Sequence, residues 1–435
     1  MRTLYNLVFA IGFVLAAPFC LFKMWRRGDW LQGFSQRFGK YESRLKQRLT
    51  NRHTLWFHAV SVGEVNLCTQ LIHAMEPRVP NLKLIVSTTT STGMGELKKK
   101  LPSHIERIYY PIDRRKYVNR AMAVINPEAV ILVEAELWPN FIWGLQNRGI
   151  PHFLVNARLS RRSFFGYRRF GFLFRPLFAR FTGVGAQTEA DAARLRELGF
   201  NPAAIHVVGN LKFDAARLVD RGVVDVVGLL RQVGVEDDAP ILVGGSTHAG
   251  EELILLEVAR RLRQQFPGLF LVLVPRHMER GGKVGRELKA SKATFVYRSE
   301  INPLMRRERG DLECMIVNTT GELRFFYERA DVVFVGKSLT AEGGQNPIEP
   351  AALGKPVIFG PNMQNFAQIV REFIRWDGAI QIQDVAGLER ALSELFANPA
   401  RRAELGRNAV KVVKENQGSL EKTVEMILAH LPEYS

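Results

Sequence analysis

Short apolar runs rich in β-branched residues recur along this chain, each followed by a turn and a helical stretch, and no other feature limits the fold as much. The runs stand at Leu55–Val60, Leu84–Val86, Ala129–Val133 and Phe153–Val155, with helical stretches such as Glu64–Met75 and Glu189–Leu198 between them. Strands alternating with helices predict parallel sheets covered by helices. After His206–Val208 and Gly209 the pattern begins again, at Ile241–Val243, Leu269–Val274, Ala293–Tyr297, Met315–Val317, Val332–Val335 and Val357–Phe359, with helices over Glu251–Gln265 and Val385–Phe396. No fixed-period repeat or low-complexity tract interrupts it. At 435 residues the chain exceeds one ordinary core. We therefore read two tandem Rossmann-like doubly wound α/β domains, 28–208 and 221–418, joined by a linker at 209–220. A last helix within 419–435 is expected to be able to pack back on the first domain. Domains of this kind bind ligands beyond the carboxyl ends of their strands.

Residues 1–27 read differently. Leu4 to Phe22 is nineteen residues without a charge, just long enough to cross the hydrocarbon layer of a bilayer. The run is long for the apolar part of a cleaved signal peptide, and Lys23, Arg26 and Arg27 follow it at once. Arg2 alone precedes it, so the positive-inside rule keeps the bulk of the chain on the cytoplasmic side of an inner membrane. Pro18 would kink such a helix without forbidding a span. The net charge of +17 points the same way once it is divided. Residues 1–200 hold 30 Lys and Arg against 13 Asp and Glu, and the remainder is balanced at 30 of each. An excess confined to the first domain suits nucleic acid or anionic lipid; the anchor favours lipid. Cys20, Cys68 and Cys314 share no CxxC or Cys/His spacing, which argues against a disulfide framework or a zinc site and for a reducing compartment.

Several segments carry candidate chemistry. HAVSVGEV (58–65) ends a strand and turns through Gly63 into a helix opened by Glu64. That carboxylate is placed either to take a proton from an acceptor hydroxyl or only to complement the helix dipole. ILVEAELWPN (131–140) sets Glu134 and Glu136 after a buried strand, as a divalent-cation pair or as electrostatic and structural groups. RRSFFGYRRFGFLFRPLFARF (161–181) holds six Arg, seven Phe and no acid. Within it Arg161, Arg162, Phe164, Phe165, Arg168 and Arg169 suit stacking on single-stranded nucleic acid, a lipid headgroup surface, or a core helix with a cationic outer face; the anchor favours lipid. In the second domain GGSTHAGEE (244–252) leads from strand to helix, where backbone N–H groups suit a nucleotide phosphate, although the Lys of a Walker A loop is missing. LVPRH (273–277) offers Arg276 as a phosphate clamp, and GGQNPIEP (343–350) offers Glu349 to ribose hydroxyls.

In this order, and with VNARLS (155–160), GNLKFD (209–214) and TTGEL (319–323), these segments resemble the Kdo transferases of Gram-negative bacteria, Kdo being 3-deoxy-D-manno-octulosonic acid. The resemblance covers nearly the whole chain. It implies the two-domain GT-B fold and an inverting glycosyltransferase moving Kdo from CMP-Kdo to a lipid A precursor, lipid IVA. It implies Glu64 as the general base and Glu134 and Lys212 as transition-state stabilisers. For CMP it implies Pro275, Arg276, Thr320, Gly321, Glu322, Asn346, Pro347, Ile348 and Glu349, with Ser246, Thr247 and His248 secondary. It implies no cofactor, no metal and no nucleic acid, and makes Glu134 and Glu136 electrostatic. Three positions depart from the family pattern: Gln345 replaces a His, Lys337–Ser338 a Gly-Ser pair, and Asn318 an Asp. The rival readings are a GT-B transferase using a UDP-sugar on a lipid-linked acceptor and a catalytically silent membrane-binding module. Retention of Glu64, Glu134, Lys212, Arg276 and Glu349 together speaks against the second.

Overall fold

The computed structural model describes residues 2–26, 32–50, 53–134, 137–214 and 224–431. The chain divides into two compact units, Met1–Ala215 with Gln417–Ser435, and Ala216–Asn416. The first is built on seven parallel strands: β1 Thr54–His58, β2 Lys83–Thr88, β3 Glu106–Tyr109, β4 Pro127–Val133, β5 His152–Ala157, β6 Gly183–Ala186 and β7 Ile205–Val207. Their order is β3-β2-β1-β4-β5-β6-β7, so the winding reverses between β1 and β4. The second unit repeats the plan with β8 Ile241–Thr247, β9 Phe270–Pro275, β10 Phe295–Tyr297, β11 Cys314–Ile316, β12 Val332–Val335, β13 Val357–Phe359 and β14 Ile380–Gln381. Here the order is β10-β11-β9-β8-β12-β13-β14, with the reversal between β8 and β12.

Strand periodicity explains the apolar runs. Leu55 and Phe57 of β1, with Ala129, Ile131 and Val133 of β4, enter one core layer, and Trp56, Val130 and Leu132 enter the other. Both faces are covered, so successive residues are all apolar. One cover comes from the far end of the chain. Helix Ser419–Leu428 packs on helix Val62–Met75, Val424 and Ile427 entering the same core layer as Leu67 and Leu71. Asp214 holds the start of this last helix by accepting from the Gly418 and Leu420 N–H groups at 2.8 and 2.9 Å.

The N-terminal helix, Arg2–Arg26, is bonded to the first unit through its opening turns. The Tyr5 hydroxyl donates to Asp113 at 2.7 Å, Asn140 donates to the Asn6 side-chain oxygen at 2.9 Å, and Arg2 donates to Asn147 at 3.1 Å. Beyond them Ile11, Phe13, Val14, Leu15, Phe19 and Phe22 are exposed.

Candidate active site

At the carboxyl ends of the first sheet, the reversal between β1 and β4 brings Glu64 and Glu134 to adjacent strand ends. Ser61 caps helix Val62–Met75 by accepting the Glu64 N–H. Glu64 answers with both oxygens, accepting from the Ser61 hydroxyl and from the Val60 N–H, each at 2.9 Å. Glu64 and Ser61 thus form a reciprocal cap at the start of the helix.

Glu134 and Asn156 end the neighbouring strands β4 and β5, paired through Val133 and Val155. Both take left-handed backbone, at φ 64° and 53°. Non-glycine residues there carry strain that persists only where the surroundings enforce it, and such sites cluster at functional positions. The enforcement is a chain of amides. Asn156 donates to Glu134 Oε1 at 3.3 Å and accepts from the Leu211 N–H at 3.1 Å. Gln187 donates to the Asn156 carbonyl at 2.9 Å and accepts from Asn210 at 3.1 Å, and the Asn210 side chain accepts from the Lys212 N–H at 3.0 Å. The turn carrying Lys212 is therefore fixed to the strand ends carrying Glu134. Arg158 lies 3.7 Å from the other Glu134 oxygen. Burial, the largest influence, lowers the Lys212 pKa; Glu134 opposes it, Arg158 adds to it and Glu64 opposes it again. Two carboxylates and two cations thus share one crevice. Asn156, Gln187, Asn210 and Arg158 were not singled out from sequence, although VNARLS and GNLKFD contain three of them. Glu136 lies outside the described residues.

In the second unit, β11, β9, β8 and β12 are consecutive in the sheet and carry the remaining candidates beyond their carboxyl ends. Arg276 is exposed after buried Pro275, its N–H donating to the Thr247 carbonyl at 3.0 Å. Thr320 and Gly321 are exposed, Gly321 in left-handed backbone at φ 85°. The Asn346 side chain accepts from the Ile348 N–H and donates to Glu349 at 3.3 Å, so it orders the turn after buried Pro347. Ser246 and Lys337 take left-handed backbone at φ 52° and 54°, repeating the strained strand ends of the first unit.

Some candidate side chains have other work. Thr247 is fully buried and donates to Glu252, itself paired with Arg280 at 2.8 Å, so its hydroxyl faces the interior. Glu322 is held by Arg298 through two contacts, 2.9 and 3.2 Å. The N–H groups beside His248 and at 337–339 are taken by the Glu251 carboxylate, which accepts from His248, Lys337, Ser338 and Leu339 at 2.7–3.0 Å. The phosphate-binding part of the GGSTHAGEE reading thus meets a site already filled by the protein's own anion. Asn318 donates to and accepts from Ser299, a two-way exchange that an ionised Asp could not make.

The basic aromatic stretch forms two helices, Arg161–Arg169 and Gly171–Phe178. Arg161, Arg162, Arg168 and Arg169 are exposed, and Phe165 is 59% exposed. Phe164 is not a surface residue: at 8% exposure it belongs to the core, because helical spacing turns it inward with Tyr167 while Phe165 points out. Tyr167, Arg168, Arg169, Phe172 and Arg175 line a surface groove here.

A family model for 3-deoxy-D-manno-octulosonic-acid transferase (kdotransferase) matches residues 32–215. The 3-deoxy-D-manno-octulosonic acid transferase of Haemophilus influenzae is 32% identical over 401 residues, covering 89% of this chain and 92% of its own. That of Bordetella pertussis is 31% identical over 434 residues, covering 94% and 96%. The chain belongs to the Kdo transferase family. It is therefore a glycosyltransferase. The fold agrees: a putative UDP-N-acetylglucosamine 2-epimerase from Listeria monocytogenes aligns over 88% of the chain and 98% of its own at TM-score 0.58 and 15% identity. A glycosyltransferase from Rickettsia africae aligns over 88% and 100% at TM-score 0.56 and 14% identity. Both likenesses concern the GT-B architecture alone. Among Kdo transferase motifs, HAVSVGEV, VEAELWPN, VNARLS and GNLKFD all contribute to the crevice of the first unit.

Proposed function

We propose that this enzyme transfers Kdo from CMP-Kdo to a sugar hydroxyl of a lipid A precursor, with inversion, at the cytoplasmic face of an inner membrane. The observation that carries the proposal is the crevice of Glu64, Glu134, Lys212 and Arg158 at the reversal of the first sheet, in a chain of this family. The acceptor oxygen attacks the anomeric carbon and passes its proton to Glu64. The bond from that carbon to the CMP phosphate oxygen breaks, and its electron pair leaves with CMP. Charge then grows on the phosphate while the sugar gains cationic character beside its own carboxylate. Lys212 and Glu134, held by the amide chain, suit these opposite charges, and fixed charges in a partly dry crevice need no reorganisation as the reaction proceeds. On the donor side, exposed Arg276 would meet the phosphate and Glu349 the ribose hydroxyls, with Thr320 and Gly321 near the nucleotide. Phe165 and the arginines at 161, 162, 168 and 169 would face anionic lipid and the acceptor.

The test is incubation of detergent-solubilised protein with CMP-Kdo and a tetra-acylated lipid A precursor, read by mass spectrometry. Mass gains in whole Kdo units are expected. Glu64→Ala should lower the rate roughly 10²–10⁴-fold, the usual contribution of a general base. Transfer from a UDP-sugar and none from CMP-Kdo would overturn the donor assignment, and an active Glu64→Ala would remove the base.

A further inference from the structure

The N-terminal helix is apolar and long enough to span a bilayer, yet its two ends are tied to the same unit. Its first two turns are docked: Arg2 on Asn147 and over the ring of Trp143, Tyr5 on Asp113, and Asn6 on Asn140. Phe9 adds an edge contact to Trp138. The contacts are specific. The Asp113 carboxylate also accepts from the Asn140 and Phe141 N–H groups at 3.0 and 2.8 Å, so the residue that caps helix Pro139–Gln146 also receives the anchor. At the other end the chain leaves the helix at Arg26 and is back on the unit by Gly33–Arg37. There Gln36 accepts from the Tyr109 N–H and Arg37 donates to the Thr89 carbonyl.

Chain geometry decides what this permits. Six residues from Arg26 to Gln32 reach about 20 Å even when fully extended. A hydrocarbon layer is about 30 Å thick. A helix that started at the docked end and crossed the layer would leave the chain too short to return to Gln32. The alternative, with Arg2 on the far side, would break every docking contact and strand Arg2 and Asn6 away from their partners.

We propose that residues 2–26 form an interfacial anchor, embedded in the leaflet nearest the first unit without crossing to the other side. Its occupant is the acyl and headgroup region of an anionic leaflet. Beyond the docked turns residues 10–16 are exposed in succession and apolar on every side, so Ile11, Phe13, Val14, Leu15, Phe19 and Phe22 enter the acyl region. Helix Pro139–Gln146, whose Asn140 bonds Asn6 and whose Trp143 packs edge-on against Tyr5, reaches the basic aromatic helices at its other end, Gln146 donating to the Leu177 carbonyl at 2.9 Å. The four exposed arginines of Arg161–Arg169 supply the charge that an anionic leaflet complements. This rests on the membrane reading given above and goes beyond it, because it places both ends of the anchor on one side.

The experiment uses the full chain in a Gram-negative host, with Cys20→Ser and one reporter cysteine, Thr3→Cys or Lys289→Cys. A membrane-impermeant maleimide is applied to intact spheroplasts and to inverted inner-membrane vesicles. Both reporters should label in inverted vesicles and neither in spheroplasts. Labelling of Thr3→Cys in spheroplasts while Lys289→Cys stays protected would show a span and overturn the proposal. A chain missing from the membrane fraction would instead sink the membrane reading itself. As an independent measurement, Asn6→Cys with Asn140→Cys should join through a short thiol cross-linker in native membranes; a folded, active protein that fails to join counts against the docked anchor.

Discussion

His58 ends β1 inside the core. Its ring stacks on Tyr110 at 3.9 Å, Nδ1 meets the Ser87 hydroxyl at 2.9 Å, and Nε2 is buried without a hydrogen-bond partner among the described residues. Burial lowers its pKa from 6.5 to about 3. Between those values the unfolded chain binds a proton that the folded one refuses, so stability rises with pH there and is lost as pH falls below 6.5. His58→Phe should reduce proton uptake on unfolding by about one, flattening the acid limb by up to roughly 1.4 kcal/mol per pH unit between pH 6 and 4. Urea unfolding across that range measures it, and an unchanged slope would mean that His58 is not held neutral. The same scale shows what sequence could and could not reveal of the site. Glu64 and Glu134 follow strands in charged motifs and could be singled out from the residues, whereas Lys212 came only from the family resemblance. Asn156, Gln187 and Asn210 are uncharged, come from separate βα units and act through hydrogen bonds to one another, to Glu134 and to the turn carrying Lys212. Their role becomes visible once β5, β6 and the turn after β7 lie side by side. Phe164 and Phe165 differ only in the helical face on which they fall.

At the scale of elements, runs with β-branched side chains were legible and strands lacking them were not. The GVGA strand β6 has almost no β propensity, yet it is required to be small. A Cβ on Gly183 would stand 2.9 Å from Phe153, and one on Gly185 3.0 Å from Val208. Propensity would favour Gly183→Val by at most about 1 kcal/mol. Overpacking at a rigid contact costs typically ~1–3 kcal/mol, so packing wins. Gly183→Val should lower the urea midpoint at constant m-value, and an unchanged or higher midpoint would refute the packing argument. Strand β3, ERIY, escaped for a different reason: it is an edge strand, and its Glu106 pairs with Arg48 at 3.0 Å. For the basic aromatic stretch a helix was one of three readings, and its division at Phe170 was not foreseen.

At the scale of the whole molecule, one plan is used twice, with strained strand ends at each reversal. A leaving group that is a phosphate monoester places less demand on a divalent metal than a diphosphate does. Among the described residues no group of three His, Cys, Asp or Glu side chains is placed to hold a metal. We expect full Kdo transfer after dialysis against EDTA; activity that vanishes and returns only with Mg²⁺ would overturn the electrostatic role of Glu134. The tie between Asp214 and the helix at Ser419–Leu428 also bears on how the molecule is made. Synthesis runs from the amino end, and domains usually fold as they emerge. Here the core that holds Leu67 and Leu71 stays incomplete until the second unit has left the ribosome, because Val424 and Ile427, which belong to the same core, follow that unit in the chain. A stop codon just after the second unit would therefore damage the first unit, and a chaperone guarding nascent chains has an apolar face to hold until helix Ser419–Leu428 arrives.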